Sequence, residues 1–209
     1  MTDLRTIRRA GGDALRLLVD LLPTDWDPRS GEEETSIVFA DIAGYSRLVA
    51  ESGDDAALAV LAVLDHAVED ALGMRRGARV VKRLGDGLMI AARRPEDGPA
   101  IAVRLVEEFA ARSAGEGWPL TLRAGVHRGV VRRQGDDCFG YHVNLAARVA
   151  EAAPAGRTLA TDEALEGVDL CALGVGARPA GRLRAKGVNG KVRLTALSPV
   201  GLSGERAGP

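Results

Sequence analysis

Two strand-like runs, residues 79–84 and 88–92, are separated only by Gly85-Asp86-Gly87. Three residues cannot make the crossover that parallel pairing needs, so the runs must fold back on each other as an antiparallel hairpin. The same signal recurs near the C-terminus, where residues 181–186 and 191–197 flank Val188-Asn189-Gly190. Between the hairpins the pattern changes period. Leu58, Leu61, Val68 and Leu72 recur at helical spacing behind Asp54 and Asp55, which can cap a helix. Asp97 can cap a second helix, with Ile101, Leu105 and Phe109 turned inward. Ser36-Ile37-Val38-Phe39-Ala40 reads as a buried strand, and Leu120, Leu122, Ala124 and Val126 alternate as another. Residues 141–152 read as a third helix. Hairpins interleaved with helices imply an α+β sandwich, with helices packed on one mostly antiparallel sheet.

The flanks differ from this middle. Residues 4–22 read as a helix kinked at Gly11-Gly12, and residues 23–34, with three consecutive glutamates, as a polar linker. The stretch from Pro199 is rich in Gly, Ser and Pro and reads as a flexible tail. The expected organisation is an extension over 1–34, one domain over 35–198 and a tail over 199–209. At 209 residues the chain is long enough for one core plus extensions, and 46% hydrophobic content excludes wholesale disorder.

Four positions stand out chemically. Asp41 follows the apolar run directly, and Gly44 lets the backbone turn away behind it; alone, it reads as a turn or capping aspartate. Asp86 sits at the hairpin tip, where Asp-Gly is an ordinary turn dipeptide. Together, two carboxylates at the ends of separate strands can meet at one sheet edge and hold divalent cations through oxygen. Lys82 lies four strand residues before Asp86, about 13 Å away, so the two are not neighbours on one reacting phosphate. In the third helix Val143, Ala146, Ala147 and Ala150 form a core stripe. Asn144 and Arg148, four apart, share the adjacent stripe. An amide beside a guanidinium suits a ribose and a reacting phosphate, although without context an exposed polar face with Arg148 pairing Glu151 is the leading reading.

The segments Phe39-Ala40-Asp41-Ile42-Ala43-Gly44-Tyr45-Ser46, Lys82-Arg83-Leu84-Gly85-Asp86-Gly87 and Phe139-Gly140-Tyr141-His142-Val143-Asn144-Leu145-Ala146-Ala147-Arg148 resemble the class III nucleotidyl cyclase catalytic domain. Their order and spacing match over residues 35–197, and Leu122-Arg123-Ala124-Gly125-Val126-His127-Arg128-Gly129 is similar to the family strand before the last motif. The resemblance implies the ferredoxin-like cyclase fold, a mostly antiparallel sheet with helices packed on one face. It also implies that Asp41 and Asp86, with Ile42 beside the first, hold two Mg²⁺ or Mn²⁺ ions per site. It implies that Lys82 and Asp137 select adenine, that Asn144 positions the ribose and that Arg148 stabilises the transition state. Lys186 would contact phosphate. Guanylyl members use Glu and Cys at the Lys82 and Asp137 places; Cys138 is one residue out of that register. The implied activity is adenylyl cyclase, ATP to 3′,5′-cyclic AMP and pyrophosphate, in a homodimer whose sites draw the metal aspartates from one chain and the other groups from its partner. Guanylyl cyclase and a catalytically silent nucleotide-binding or regulatory domain are the alternatives.

Tyr141 and His142 occupy positions that are often small or acidic in relatives, and His142 reads as a surface loop histidine. His127 reads as structural and Cys171 as a core thiol. Twenty-eight basic residues against 29 acidic ones argue against capture of nucleic acid, and 3% aromatic content argues against an RNA-binding sheet. Only three basic residues are Lys, and two of them are Lys82 and Lys186. Two Cys outside any metal or redox spacing suit free thiols in a reducing compartment. Arg16 and Asp20 interrupt the best apolar stretch near the start. These features together predict a cytoplasmic protein without membrane insertion, with residues 1–34 available to a regulatory partner.

Overall fold

The structure, a computed structural model, describes residues 31–73, 75, 77–184 and 190–201. The expected N-terminal helix, most of the linker, Lys186 and the end of the tail lie outside the described residues. Eight strands form one sheet: β1 (Glu32–Ala43), β2 (Ala78–Leu84), β3 (Gly87–Ala92), β4 (Thr121–Gln134), β5 (Asp137–Phe139), β6 (Thr158–Thr161), β7 (Val175–Leu183) and β8 (Val192–Pro199). The helices are α1 (Tyr45–Leu72), α2 (Asp97–Gly115), α3 (Tyr141–Ala152) and the single turn α4 (Asp162–Leu165). The order across the sheet is β2-β3-β1-β4-β6-β8-β7, with β5 paired to β4. Among the described residues only β4 and β6 pair in parallel; the other pairings are antiparallel.

The first hairpin forms as its spacing requires, with Leu84 opposite Gly87 and Gly85 at φ 70°, where a side chain would be strained. β1 starts at Glu32, inside the segment expected to be linker. Opposite charges across the strands explain the extension: Glu32 faces Arg132 in the β1–β4 register, and Glu34 pairs with Arg128 at 2.7 Å. α1 also begins earlier than expected, at Tyr45 rather than near Asp54. Its two segments join through Gly53, whose φ of 79° and ψ of −178° break the helical path. Its buried face is Ala56, Ala57, Val60, Leu64, Ala67, Val68 and Ala71, whereas Leu58 is 65% exposed. The small residues lie inward because α1 packs against α2 as well as the sheet.

α1 and α2 cover one face of the sheet, enclosing Val38, Ala40, Ile90, Leu122, Val126 and the fully buried Phe109. α3 crosses the other face. There Ile37, Met89 and Ala91 of the sheet pack against Val143 and Ala146, while Leu145 and Val149 pack on Leu159 and Leu194. The expected α3 stripe is thus shifted, with Leu145 and Val149 buried and Ala147 half-exposed. β7 starts at Val175, six residues before the expected strand. It is an edge strand and tolerates Pro179 at a register shift. Cys138 is buried, but Cys171 is exposed: in the turn after α4, Leu170 and Leu173 supply the apolar contacts instead. No described helix is long and apolar enough to cross a membrane.

Candidate active site

The strand ends bring the two aspartates together. Asp41 lies opposite Gly87 in the β1–β3 register, next to the turn that carries Asp86. A Cβ on Gly87 would stand 3.1 Å from the Ala40 main-chain oxygen, tighter than ordinary contact, and 3.4 Å from Asp41 Oδ1, so a glycine fits this close approach beside the carboxylate. Burial pushes the Asp86 carboxyl above the usual carboxylate range, and the charge and hydrogen bonding of Asp41 push it further; its own main-chain amide and Arg123 pull the other way. A divalent cation beside Asp86 would relieve the cost of its ionisation next to Asp41. Arg123, directly across from Asp41 on β4, compensates part of this charge. Its Nε and Nη2 donate to Asp41 Oδ2 at 3.0 and 2.6 Å. Tyr45 stands close by. Burial and the charges of Asp86 and Asp54 hold its phenol protonated above the ordinary range. The Ile42 side chain is buried in the core, so only its main chain is available to an ion.

Lys82 and Asp137 also meet, although 55 residues separate them. The ammonium stands 2.8 Å from Oδ1 and 2.9 Å from Oδ2 of the carboxylate. β2 supplies the lysine, past a register shift between Val80 and Lys82 that redirects the strand, and the short β5 supplies the aspartate. The Phe139 ring lies 5.3 Å from the same ammonium, within cation–π range. Burial alone would raise the Asp137 carboxyl. The Lys82 hydrogen bond, the Cys138 amide and the charges of Lys82 and Arg79 outweigh it and hold the group below the usual range.

Asn144 and Arg148 lie on the exposed side of α3, one turn apart. Arg148 Nη1 donates to Glu151 Oε1 at 2.7 Å, the pairing that the helical spacing allows. The start of α3 is anchored by a contact that sequence reasoning missed. His127 Nε2 is 2.7 Å from His142 Nδ1, the rings stack at 5.0 Å, and His127 Nδ1 is 2.8 Å from Thr161 Oγ1. His142 is therefore a half-buried anchor rather than a surface loop residue. The signal available was Gly129: a Cβ there would stand 2.7 Å from His142 Cε1, so the strand glycine makes room for the ring. Arg123 was also missed as a partner of Asp41; its place in an alternating strand opposite residue 41 was the usable clue.

The paired aspartates stand at one strand end of an open α+β sheet, and the Asn144–Arg148 face stands on a different element, α3. The adenylate and guanylate cyclase catalytic domain model matches residues 28–198, and the chain belongs to that family. An uncharacterized Mycobacterium tuberculosis protein is 37% identical over 124 residues, 59% of this chain and 32% of that protein. An adenylate cyclase of Streptomyces coelicolor is 33% identical over 128 residues, 61% of this chain and 32% of its own length. The chain thus spans about a third of the curated relatives it matches. Among solved structures, the adenylyl cyclase CyaB from P. aeruginosa shares the fold with a TM-score of 0.68 at 20% identity, covering 79% of this chain and 94% of that one.

Proposed function

We propose that this chain is an adenylyl cyclase that converts ATP to 3′,5′-cyclic AMP and pyrophosphate at a site shared between two copies. The observation that carries this reading is the Lys82–Asp137 contact at 2.8 Å. A lysine donor beside an aspartate acceptor matches the N1 acceptor and 6-amino donor of adenine. Guanine presents donors at N1 and its 2-amino group and would meet the Lys82 ammonium with a donor. The adenylate cyclase named in Streptomyces coelicolor supports the same direction.

Asp41 and Asp86 would hold Mg²⁺ or Mn²⁺. When bound, the ions lower the pKa of the ribose 3′-hydroxyl and neutralise triphosphate charge. The 3′-hydroxyl gives its proton to water as its oxygen bonds to the α-phosphorus, the bond from that phosphorus to the bridging oxygen breaks, and pyrophosphate leaves with the electron pair. Asn144 orients the ribose for in-line attack. Arg148 carries the charge that develops on the α-phosphate. Its contact with Glu151 is a surface pair worth at most about 1 kcal/mol, so exchanging it for a phosphate is inexpensive. Lys186 would add a phosphate contact. The Asp41–Asp86 pair and the Asn144–Arg148 face stand on different elements, and a two-fold homodimer would join one of each in two equivalent sites. In this reading the catalytic unit is 35–198, with 1–34 left for regulation and 199–209 as a tail.

The Lys82→Glu, Asp137→Cys double variant tests the base assignment. The expected result is a fall of about 10² or more in kcat/KM for ATP, with the GTP-to-ATP ratio rising. A folded, dimeric double variant that keeps the original preference would overturn it.

A further inference from the structure

The molecule has a second cationic recess that the nucleotide chemistry above does not use. It is a cavity of about 280 Å³ between the start of β1, the β2–β3 hairpin and β5. Arg79, Arg93 and Arg133 line it, with Glu33, Thr35 and the buried Cys138. Three guanidinium groups against one carboxylate leave a net charge of +2 on the wall. Glu33 takes one bond from each of two of them, from Arg93 Nε at 2.7 Å and Arg133 Nη1 at 3.3 Å. Arg79 Nη1 donates to the main-chain oxygen of Asp136 at 2.7 Å. Each guanidinium carries five N–H donors, so most of the donor capacity is unspent. Arg133 Nε is shielded from water and has no hydrogen-bond partner among the described residues.

We propose that this recess is a binding site for a small organic oxyanion, a phosphomonoester or carboxylate with a compact body. Guanidinium groups present paired donors that match the oxygens of such anions, and three of them converge here. The volume lies at the small end of ligand pockets, which run from about 300 Å³ upward, and leaves room for carbon beside the charged group. Ala78, Ala91 and Cys138 supply an apolar wall for that body. The site is separate from the paired aspartates. Thr35 and Asp41 are six residues apart on the same strand, about 20 Å at strand rise. It lies instead behind β5, where Asp136 and Cys138 flank Asp137.

Calorimetric titration of the full chain with glycerol 3-phosphate and with succinate tests this, with glycerol as the neutral control. The two anions separate a phosphate preference from a carboxylate one. The expected result is saturable binding of at least one anion, none of glycerol, and affinity that falls as NaCl is raised. Arg133→Gln and Arg79→Gln should each weaken that binding about tenfold or more, and Arg148→Ala should leave it in place. Arg79 is tethered only through an exposed contact, so its substitution reads binding even where Arg133→Gln unfolds the protein. The proposal is overturned by no saturable binding, by equal binding to the Arg79→Gln protein, or by binding that Arg148→Ala or added ATP abolishes, which would assign the anion to the nucleotide site.

Discussion

Gly125→Ala is the sharpest test of how α3 is held. Gly125 lies mid-strand in β4, with an ordinary extended backbone, so alanine meets no conformational barrier there. The obstacle is space. An added Cβ would stand 2.6 Å from Ala150 Cα and 2.7 Å from the Val149 carbonyl carbon, and closer still to the Ala150 amide nitrogen. All three are main-chain atoms of α3, so no rotamer change relieves the clash. Ordinary contact begins near 3.4 Å, so the helix must lift by about 0.8 Å or more from the strand. Overpacking of this kind costs about 1–3 kcal/mol and sometimes more, and here the rigid backbone puts it at the upper end. Alanine's lower unfolded-state entropy returns only about 0.4–1 kcal/mol. The expected net loss is about 2 kcal/mol in urea unfolding. Asn144 and Arg148 ride on the displaced helix, and a shift near 1 Å can cost about 10² in rate. Gly129→Ala is the internal comparison. It meets a side chain rather than main chain, so α3 need not lift as a body, but the His142 ring must leave its contact with His127, and the loss should appear mainly as that contact's. Equal stability of Gly125→Ala and the native protein, with unchanged turnover, would refute the close seating of α3.

The buried histidine sets a second expectation. Burial, then the neighbouring His142, lowers His127 from 6.5 to about 4, against a smaller opposing pull from Glu163. Because the folded pKa lies below the ordinary one, the stability linked to the neutral ring is complete above about pH 6.5 and is lost as the pH falls toward 4. A span of about 2.5 units is worth about 3 kcal/mol. Urea midpoints measured from pH 8 to 4 should show this loss, and His127→Gln should lack it; parallel profiles for the two proteins would contradict the account. The shared site predicts that Asp41→Ala and Arg148→Ala are each inactive, and that refolded mixtures recover part of the activity. Mixtures that stay inactive while forming mixed dimers would exclude sharing.

The first hairpin was legible in the sequence because a three-residue connection leaves one pairing geometry. The α2 core positions were legible because Ile101, Leu105 and Phe109 keep one period. β6 was not: Thr158-Leu159-Ala160-Thr161 is four residues with no alternation, buried on both sides by β4 and β8. The start of β1 was hidden because three glutamates look solvated until Arg93, just past β3, and the arginines of β4 stand across from them. Motif order marked the places of Lys82 and Asp137, but their contact depends on the bend in β2 and on a three-residue strand. Leu58 misled for a related reason. Helical spacing shows that a face exists, and the close approach of α1 and α2 selects the alanines for it.

The central claim is the reaction itself. Purified full-length protein incubated with ATP or GTP, and with Mg²⁺ or Mn²⁺, can be assayed by chromatography for cyclic nucleotide and pyrophosphate together. The account predicts cyclic AMP and pyrophosphate in equal amounts from ATP, lost in Asp41→Ala and Arg148→Ala. Cyclic GMP from GTP as the preferred product, or bound ATP that is never cyclised under either metal, would contradict it.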